Sequence, residues 1–230
     1  MNPFFSIAIP CYEMSGRGGD FLNFSLDKIY YQDFKDFEVV ISDHSLNNDV
    51  FDSYNSWKYK LDIKYIRCEE KKGNSSYNIN NAIKNCNGKW IKILFQDDFL
   101  YHEKSLSGIK DHIKDSTVWL ATASEHTKDG YNYYYPFMPK WNEKIKEGIN
   151  TISSPSVITI KKGLDILFDE NLIWLMDVDY YYRIWEKYGE PEYIKKINIV
   201  NRVWENSISN TLLASIKRKE IKIITEKYGK

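Results

Sequence analysis

From residue 4 to residue 95 the chain repeats one pattern, a short apolar run, a polar stop, then enough residues for a helix. The runs cover residues 4–9, 37–41, 63–66 and 90–95. Short apolar runs bounded by turn residues read as buried strands. Between them, Asp20 is placed to cap a helix carrying Phe21, Leu22, Leu26 and Ile29, and Ser75 or Ser76 opens another that reaches about Asn85 before Gly88. Strand, helix, strand, helix, strand, helix, strand is the order of a parallel, doubly wound sheet with right-handed crossovers. In such sheets ligands bind beyond the carboxyl ends of the strands. The residues standing there are PCYE, SDHS and QDDF, so polar and acidic groups are expected at one crevice.

The second half is less regular. Strands are expected at residues 117–124, 131–135, 157–160 and 192–203, and helices at 177–188 and 211–228. Val178, Tyr181, Tyr182 and Trp185 have core spacing on the first of these helices, which Gly189-Glu190-Pro191 closes. No linker, repeat or low-complexity tract interrupts the 230 residues, so residues 1–230 are read as one domain with halves 1–100 and 101–230.

Lys plus Arg equals Asp plus Glu, 32 each, which argues against a nucleic-acid partner. Only the stretch from Lys217 to Lys230 is basic, with six cations against Glu220 and Glu226. Cys11, Cys68 and Cys86 are odd in number and lack metal-ligand spacing, as in a reducing compartment. No apolar run approaches the roughly 20 residues that span a bilayer, and no basic region precedes the first apolar run, so neither a transmembrane segment nor a signal peptide is expected. Aromatic residues make up 16%, a share that AT-rich coding explains better than sugar binding does.

Four segments could carry chemistry, and each has an ordinary explanation beside it. Asp97 and Asp98 after KWIKILFQ suit a hard divalent cation bridging carboxylate and diphosphate oxygens, or equally a cap for a helix starting near Glu103. In SDHS, the Asp43 carboxylate could accept from a pyrimidine N–H, though a polar turn is the commoner reading. Tyr12 could stack on a flat base, or simply pack. Asp177 opens an amphipathic helix, where an acid is often an N-cap; facing the crevice it becomes a general base. Asp179 should point elsewhere. The glycine-rich EMSGRGGD segment reads as a loop, with Arg17 either near a diphosphate or on the surface, and its spacing is wrong for a dinucleotide fingerprint. Tyr131, Tyr133, Tyr134 and Tyr135 fit a half-buried strand, with acceptor stacking, alongside Trp174, as the minority reading.

Taken together, SIAIPCYE, YYQDFKDFEVVISDHS, NSSYNINNAIKNCNGKWIKILFQDDF and FDENLIWLMDVDYYYRIWEKYG resemble the family 2 glycosyltransferases of GT-A fold over about residues 5–210. That resemblance implies an α/β fold with a mainly parallel central sheet flanked by helices. The N-terminal half would bind a nucleotide sugar and the C-terminal half an acceptor. Pro10 and Tyr12 would line the base pocket with Asp43 and His44 alongside, while Ser76 and Asn80 face the nucleotide. Asp97 would contact ribose or sugar, Asp98 would hold Mn2+ or Mg2+, and Asp177 would be the base of an inverting displacement. The implied reaction moves sugar from a nucleoside-diphosphate sugar, UDP-linked by preference, to a carbohydrate or lipid-linked saccharide hydroxyl. Its implied setting is cytoplasmic surface-polysaccharide or glycolipid synthesis. Apart from the resemblance, the basic terminal helix, with Leu212, Leu213, Ile216 and Ile223 as its apolar positions, could lean on the inner membrane face or equally be a final helix packed on the core.

The chain departs from the family pattern at three places. His44 replaces a second acid, Phe95 stands where an extra acid often precedes the pair, and Trp204 occupies a position often held by His, leaving Arg202 or Ser207 to compensate. Two rivals follow, a nucleotide-sugar-binding module without catalysis and a nucleotidyltransferase on a similar sheet. Retention of Asp43, Asp97, Asp98 and Asp177 disfavours the first. The lack of a basic, glycine-rich loop directly after the first strand disfavours the second.

Overall fold

The computed structural model describes residues 2–229; Lys230, counted in the basic stretch above, lies outside them. The first half alternates β1 (Phe5–Cys11), α1 (Gly18–Tyr30), β2 (Phe37–Asp43), α2 (Asp49–Trp57), β3 (Ile63–Arg67), α3 (Ser75–Lys84) and β4 (Trp90–Ile93). The second half contains β5 (Phe99–Leu100), α4 (Ser105–Lys110), β6 (Trp119–Thr127), β7 (Tyr133–Phe137) and β8 (Ile158–Lys161). It ends with α5 (Met176–Tyr188), β9 (Glu192–Arg202), α6 (Ile208–Thr211) and α7 (Ala214–Tyr228). Among the described residues these strands make one nine-stranded sheet, ordered β3-β2-β1-β4-β8-β6-β9-β5 with β7 beside β6.

Strands β3, β2, β1 and β4 are parallel, as the alternation requires. Phe5 pairs with both Phe37 and Trp90, so the apolar starts of three strands are level and their polar ends emerge together. The chain steps from β1 to β2 to β3 in one direction and returns to β4. Right-handed crossovers therefore put α1 and α2, which pack together, on one face and α3 on the other. Beyond β4 the sheet is mixed. β8 runs antiparallel to β4 and β6, while β9 runs parallel to β6 and antiparallel to β5.

Several boundaries differ from those read in the sequence. β1 and β2 continue through Cys11 and Asp43, because buried backbone at a strand end still needs its ladder partners. α1 begins at Gly18, so Asp20 lies in its first turn and caps nothing. A side chain at Gly18 would put its Cβ 2.2 Å from the Tyr12 carbonyl oxygen, so the glycine permits the close approach of helix to turn. The capping explanation for Asp97 and Asp98 fails, since the N-cap of α4 is Lys104 and makes no side-chain cap bond. The terminal helix is split, because Leu212 and Leu213 are extended between α6 and α7.

α5 buries Met176, Val178, Tyr180, Tyr181, Tyr182 and Ile184, and stops at Gly189, whose φ is 79°. Its buried acid, Asp179, is paired with Arg183 at 2.6 Å and accepts from Lys227 and Tyr228 of α7. α7 in turn buries Glu220, which accepts the backbone N–H groups of Ile173, Trp174 and Leu175, the turn that leads into α5. No helix among the described residues is long and apolar enough to cross a bilayer.

Candidate functional site

A cleft of about 660 Å³ opens at the carboxyl ends of β1, β2 and β4, within the range of roughly 300–1,000 Å³ usual for small-ligand sites. Pro10, Tyr12, His44, Asp97, Asp98 and Asp177 all line it, from four separate stretches of chain.

Gln96 fixes the floor. Its amide donates to the Gly18 carbonyl at 2.6 Å and accepts from Tyr12 N–H at 2.8 Å, tying the end of β4 to the β1–α1 turn. Asp98 Oδ1 accepts the Arg202 N–H at 2.9 Å, and the Ser154 hydroxyl lies 3.1 Å from Oδ2. Asp97 Oδ2 accepts from the Trp204 indole at 3.2 Å. Burial pushes both carboxyls above the usual carboxylate range, and Asp98 adds repulsion at Asp97. Lys92, fully buried on β4, donates to the carbonyls of Ser156 and Ile158, and burial lowers its pKa to about 7 against the attraction of Asp98.

Two adjacent carboxylates held at a cleft with their charge opposed by burial fit a divalent cation. No cluster of three or more His, Cys, Asp or Glu that could hold a metal exists among the described residues. A cation here would therefore draw its other oxygens from a ligand's phosphates and water, the usual habit of Mg2+. Trp204 thus contacts the acid pair instead of a metal, and Arg202 supplies the pair with a backbone donor while its guanidinium sits over Phe21, Phe24 and Phe99.

Asp177, in the first turn of α5, presents Oδ2 to Asn150 Nδ2 at 2.6 Å and Oδ1 to Val178 N–H at 2.7 Å. Burial raises its pKa to about 7 against those hydrogen bonds. Asn150 also donates to the Ser153 carbonyl, which accepts from the Tyr181 hydroxyl. Ser153 Oγ accepts from Asn201, and Asn201 bonds Ser154. The loop 150–154 thereby joins the lone acid to the pair, with Ser153 held at φ 94°, a left-handed conformation costly for serine.

Three of the residues named from the sequence do not line the cleft. Asp43 is fully buried, its Oδ2 accepting from Tyr65 at 2.6 Å and Arg67 at 2.7 Å and its Oδ1 from Ser45 N–H. Ser76 donates to the Leu172 carbonyl, and Asn80 both donates to and accepts from the Phe168 backbone. Their polar groups hold the 168–172 segment, which leads into α5. The residue of α3 that does line the cleft is Asn78, together with Ser75. Asn78 Nδ2 donates to the Cys11 carbonyl at 2.8 Å, the same oxygen that accepts His44 N–H at 3.0 Å. Among the described residues Asn78 Oδ1 and His44 Nε2 have no hydrogen-bond partner although both are buried. His126, Phe137 and the run from Asn206 to Asn210 complete the far wall. Arg17 stacks over Phe21 and lies outside the lining, and of the tyrosines at 131–135 none lines it.

Comparisons with known proteins bear on the fold. The model of the glycosyl transferase family 2 matches residues 6–161. TarS residues 1–349 from S. aureus, solved with UDP-GlcNAc, superposes with a TM-score of 0.71 at 18% identity, covering 97% of this chain and 65% of that one. The mannosyltransferase PcManGT from Pyrobaculum calidifontis, solved with GDP-Man and Mn2+, superposes with a TM-score of 0.65 at 16% identity, covering 90% of this chain and 59% of that one. The chain thus spans under two thirds of either structure's length. No curated protein matches it.

Proposed function

The chain belongs to glycosyl transferase family 2, and we propose that it transfers a sugar from a nucleoside-diphosphate sugar, a UDP-sugar first, to an acceptor hydroxyl with inversion. The observation that carries this reading is that Asp177 and the Asp97–Asp98 pair line one cleft large enough for such a donor. Nucleotide sugars bound by the structural neighbours support the donor class.

In the reaction the acceptor oxygen attacks the anomeric carbon as the bond to the nucleoside diphosphate breaks, and the hydroxyl proton passes to Asp177. A carboxyl with a pKa of about 7 suits a base working near neutrality. Asn150 orients Oδ2, and Val178 N–H holds Oδ1. Asp98, with Asp97 beside it, would hold a Mn2+ or Mg2+ ion, which when bound neutralises charge on the departing diphosphate. Tyr12 and Pro10 cover the base, and Asp43 supports that pocket from behind through Arg67 and Tyr65. The acceptor is a carbohydrate or lipid-linked saccharide of surface-polysaccharide or glycolipid synthesis at the cytoplasmic face. The exposed Leu213 and the cations of α7 support contact with an anionic inner leaflet.

A panel of nucleotide sugars with manganese should raise the melting temperature for one donor above all others. Asp177→Asn should then lower turnover by about 100-fold or more while donor affinity is kept; a variant retaining most of its turnover would refute the assignment. Asp98→Ala should instead abolish the part of donor affinity that manganese confers, measured by calorimetry with and without the ion.

A further inference from the structure

The family reading puts a carboxylate against the donor's base, and in this chain that carboxylate is already satisfied. Asp43 accepts three hydrogen bonds and does not line the cleft. What the cleft offers instead are two side chains left incomplete. Asn78 must turn its amino group to the Cys11 carbonyl, since a carbonyl oxygen can only accept, which fixes Oδ1 as the unpartnered atom. His44 is anchored by its backbone to the same carbonyl, is 1% exposed, and leaves Nε2 unpartnered. Desolvation holds the imidazole below its ordinary pKa, so at neutral pH it is uncharged and carries one N–H. Buried polar atoms without partners are uncommon, and two on residues that line one ligand-sized cleft call for a ligand that supplies both.

We propose that Asn78 and His44 read the donor's base, selecting one with a ring N–H next to a ring carbonyl. Resting on the nucleotide-sugar reading above, the geometry works as follows. The ring N–H donates to Asn78 Oδ1, and the ring carbonyl accepts from His44 Nε2–H. Uracil, thymine and guanine present that edge; cytosine and adenine present a bare ring nitrogen beside an amino group, which meets each partner with the wrong polarity. A purine is separated from the pyrimidines by size, not by this pair. Were Nε2 bare instead, two acceptors would stand together and an amino-bearing base would bind better.

Calorimetry of UDP, dTDP, GDP, CDP and ADP against the unaltered protein with manganese tests this without any variant. UDP, dTDP or GDP should bind at least about tenfold more tightly than CDP and ADP. His44→Phe keeps the ring and removes the nitrogen, and Asn78→Leu removes the acceptor; each should lower affinity for the preferred diphosphate about tenfold and leave that for CDP unchanged. Circular dichroism establishes that the variants are folded, and the base panel stands even if they are not. CDP or ADP binding as tightly as UDP and GDP overturns the proposal, as do folded variants that weaken all five ligands equally, and in either case the nucleotide-sugar reading survives. Failure of all five to bind removes that reading itself, and this one with it.

Discussion

For single side chains, Asp177 is the group whose environment makes the sharpest statement. Its carboxyl must be ionised to accept a proton, so kcat/KM should fall about tenfold per pH unit below about 7 and level off above it. Stability runs the other way. The folded chain holds this proton more tightly than the unfolded chain, whose aspartate titrates at about 4, so stability is lost as pH rises from there to about 7. Asp177→Asn should therefore gain on the parent by about 5–10 °C in Tm between pH 5 and pH 8; an advantage that shrinks with pH would sink the assignment. Asn150 holds the charged form, so Asn150→Ala should move the acidic limb upward and lower kcat at pH 7 several-fold, with donor affinity unchanged. Nothing in the sequence pointed to Asn150. It lies 27 residues from Asp177 in an irregular loop, with no periodicity to betray which way it faces. Asp177, by contrast, is singled out through the family resemblance, since its place at the start of an amphipathic helix fits an N-cap as well.

Among the elements, α3 shows why some site residues were readable and others not. Its sequence SSYNINNAIK has an apolar stripe through Ile79, Ala82 and Ile83, but serines and asparagines border it on both sides, so the stripe orients the helix without telling which polar residue meets the cleft. Ser76 and Asn80, four apart, share one face, and it packs on residues 168–172. Asn78 lies about 200° round the helix, and it reaches the end of β1. Terminal α7 stands, in the sequence, between a membrane-facing and a core-packed reading for a related reason. Its charge count draws the eye to its cations, while the acid Glu220 satisfies three N–H groups in the turn before α5. Glu220→Ala should cost about 3 kcal/mol by leaving those donors buried and unpaired, visible as a lower denaturant midpoint. A midpoint within error of the parent would mean that water replaces the carboxylate.

On the scale of the whole molecule, the parallel first half followed from alternation alone, since each apolar run had to be buried on both faces. The mixed second half did not, because β5 is two residues long and β8 and β9 find partners that are remote in sequence. β4 pairs with β8, so the two halves share one sheet and one core. Heating should give a single calorimetric transition whose van't Hoff and calorimetric enthalpies agree, and residues 1–100 alone should not fold; two separated transitions would show that the halves are independent. The tether between acid pair and distal wall has an optical consequence. Trp204 donates its indole N–H to Asp97 and rests edge-on against Phe21, at the root of the 206–210 stretch. Whatever captures the Asp97 carboxylate must change the polarity around that ring, so the chain carries its own fluorophore for ligand arrival. Its emission should shift during titration with manganese and nucleotide, and Trp204→Phe should silence the response while the other six tryptophans keep shining.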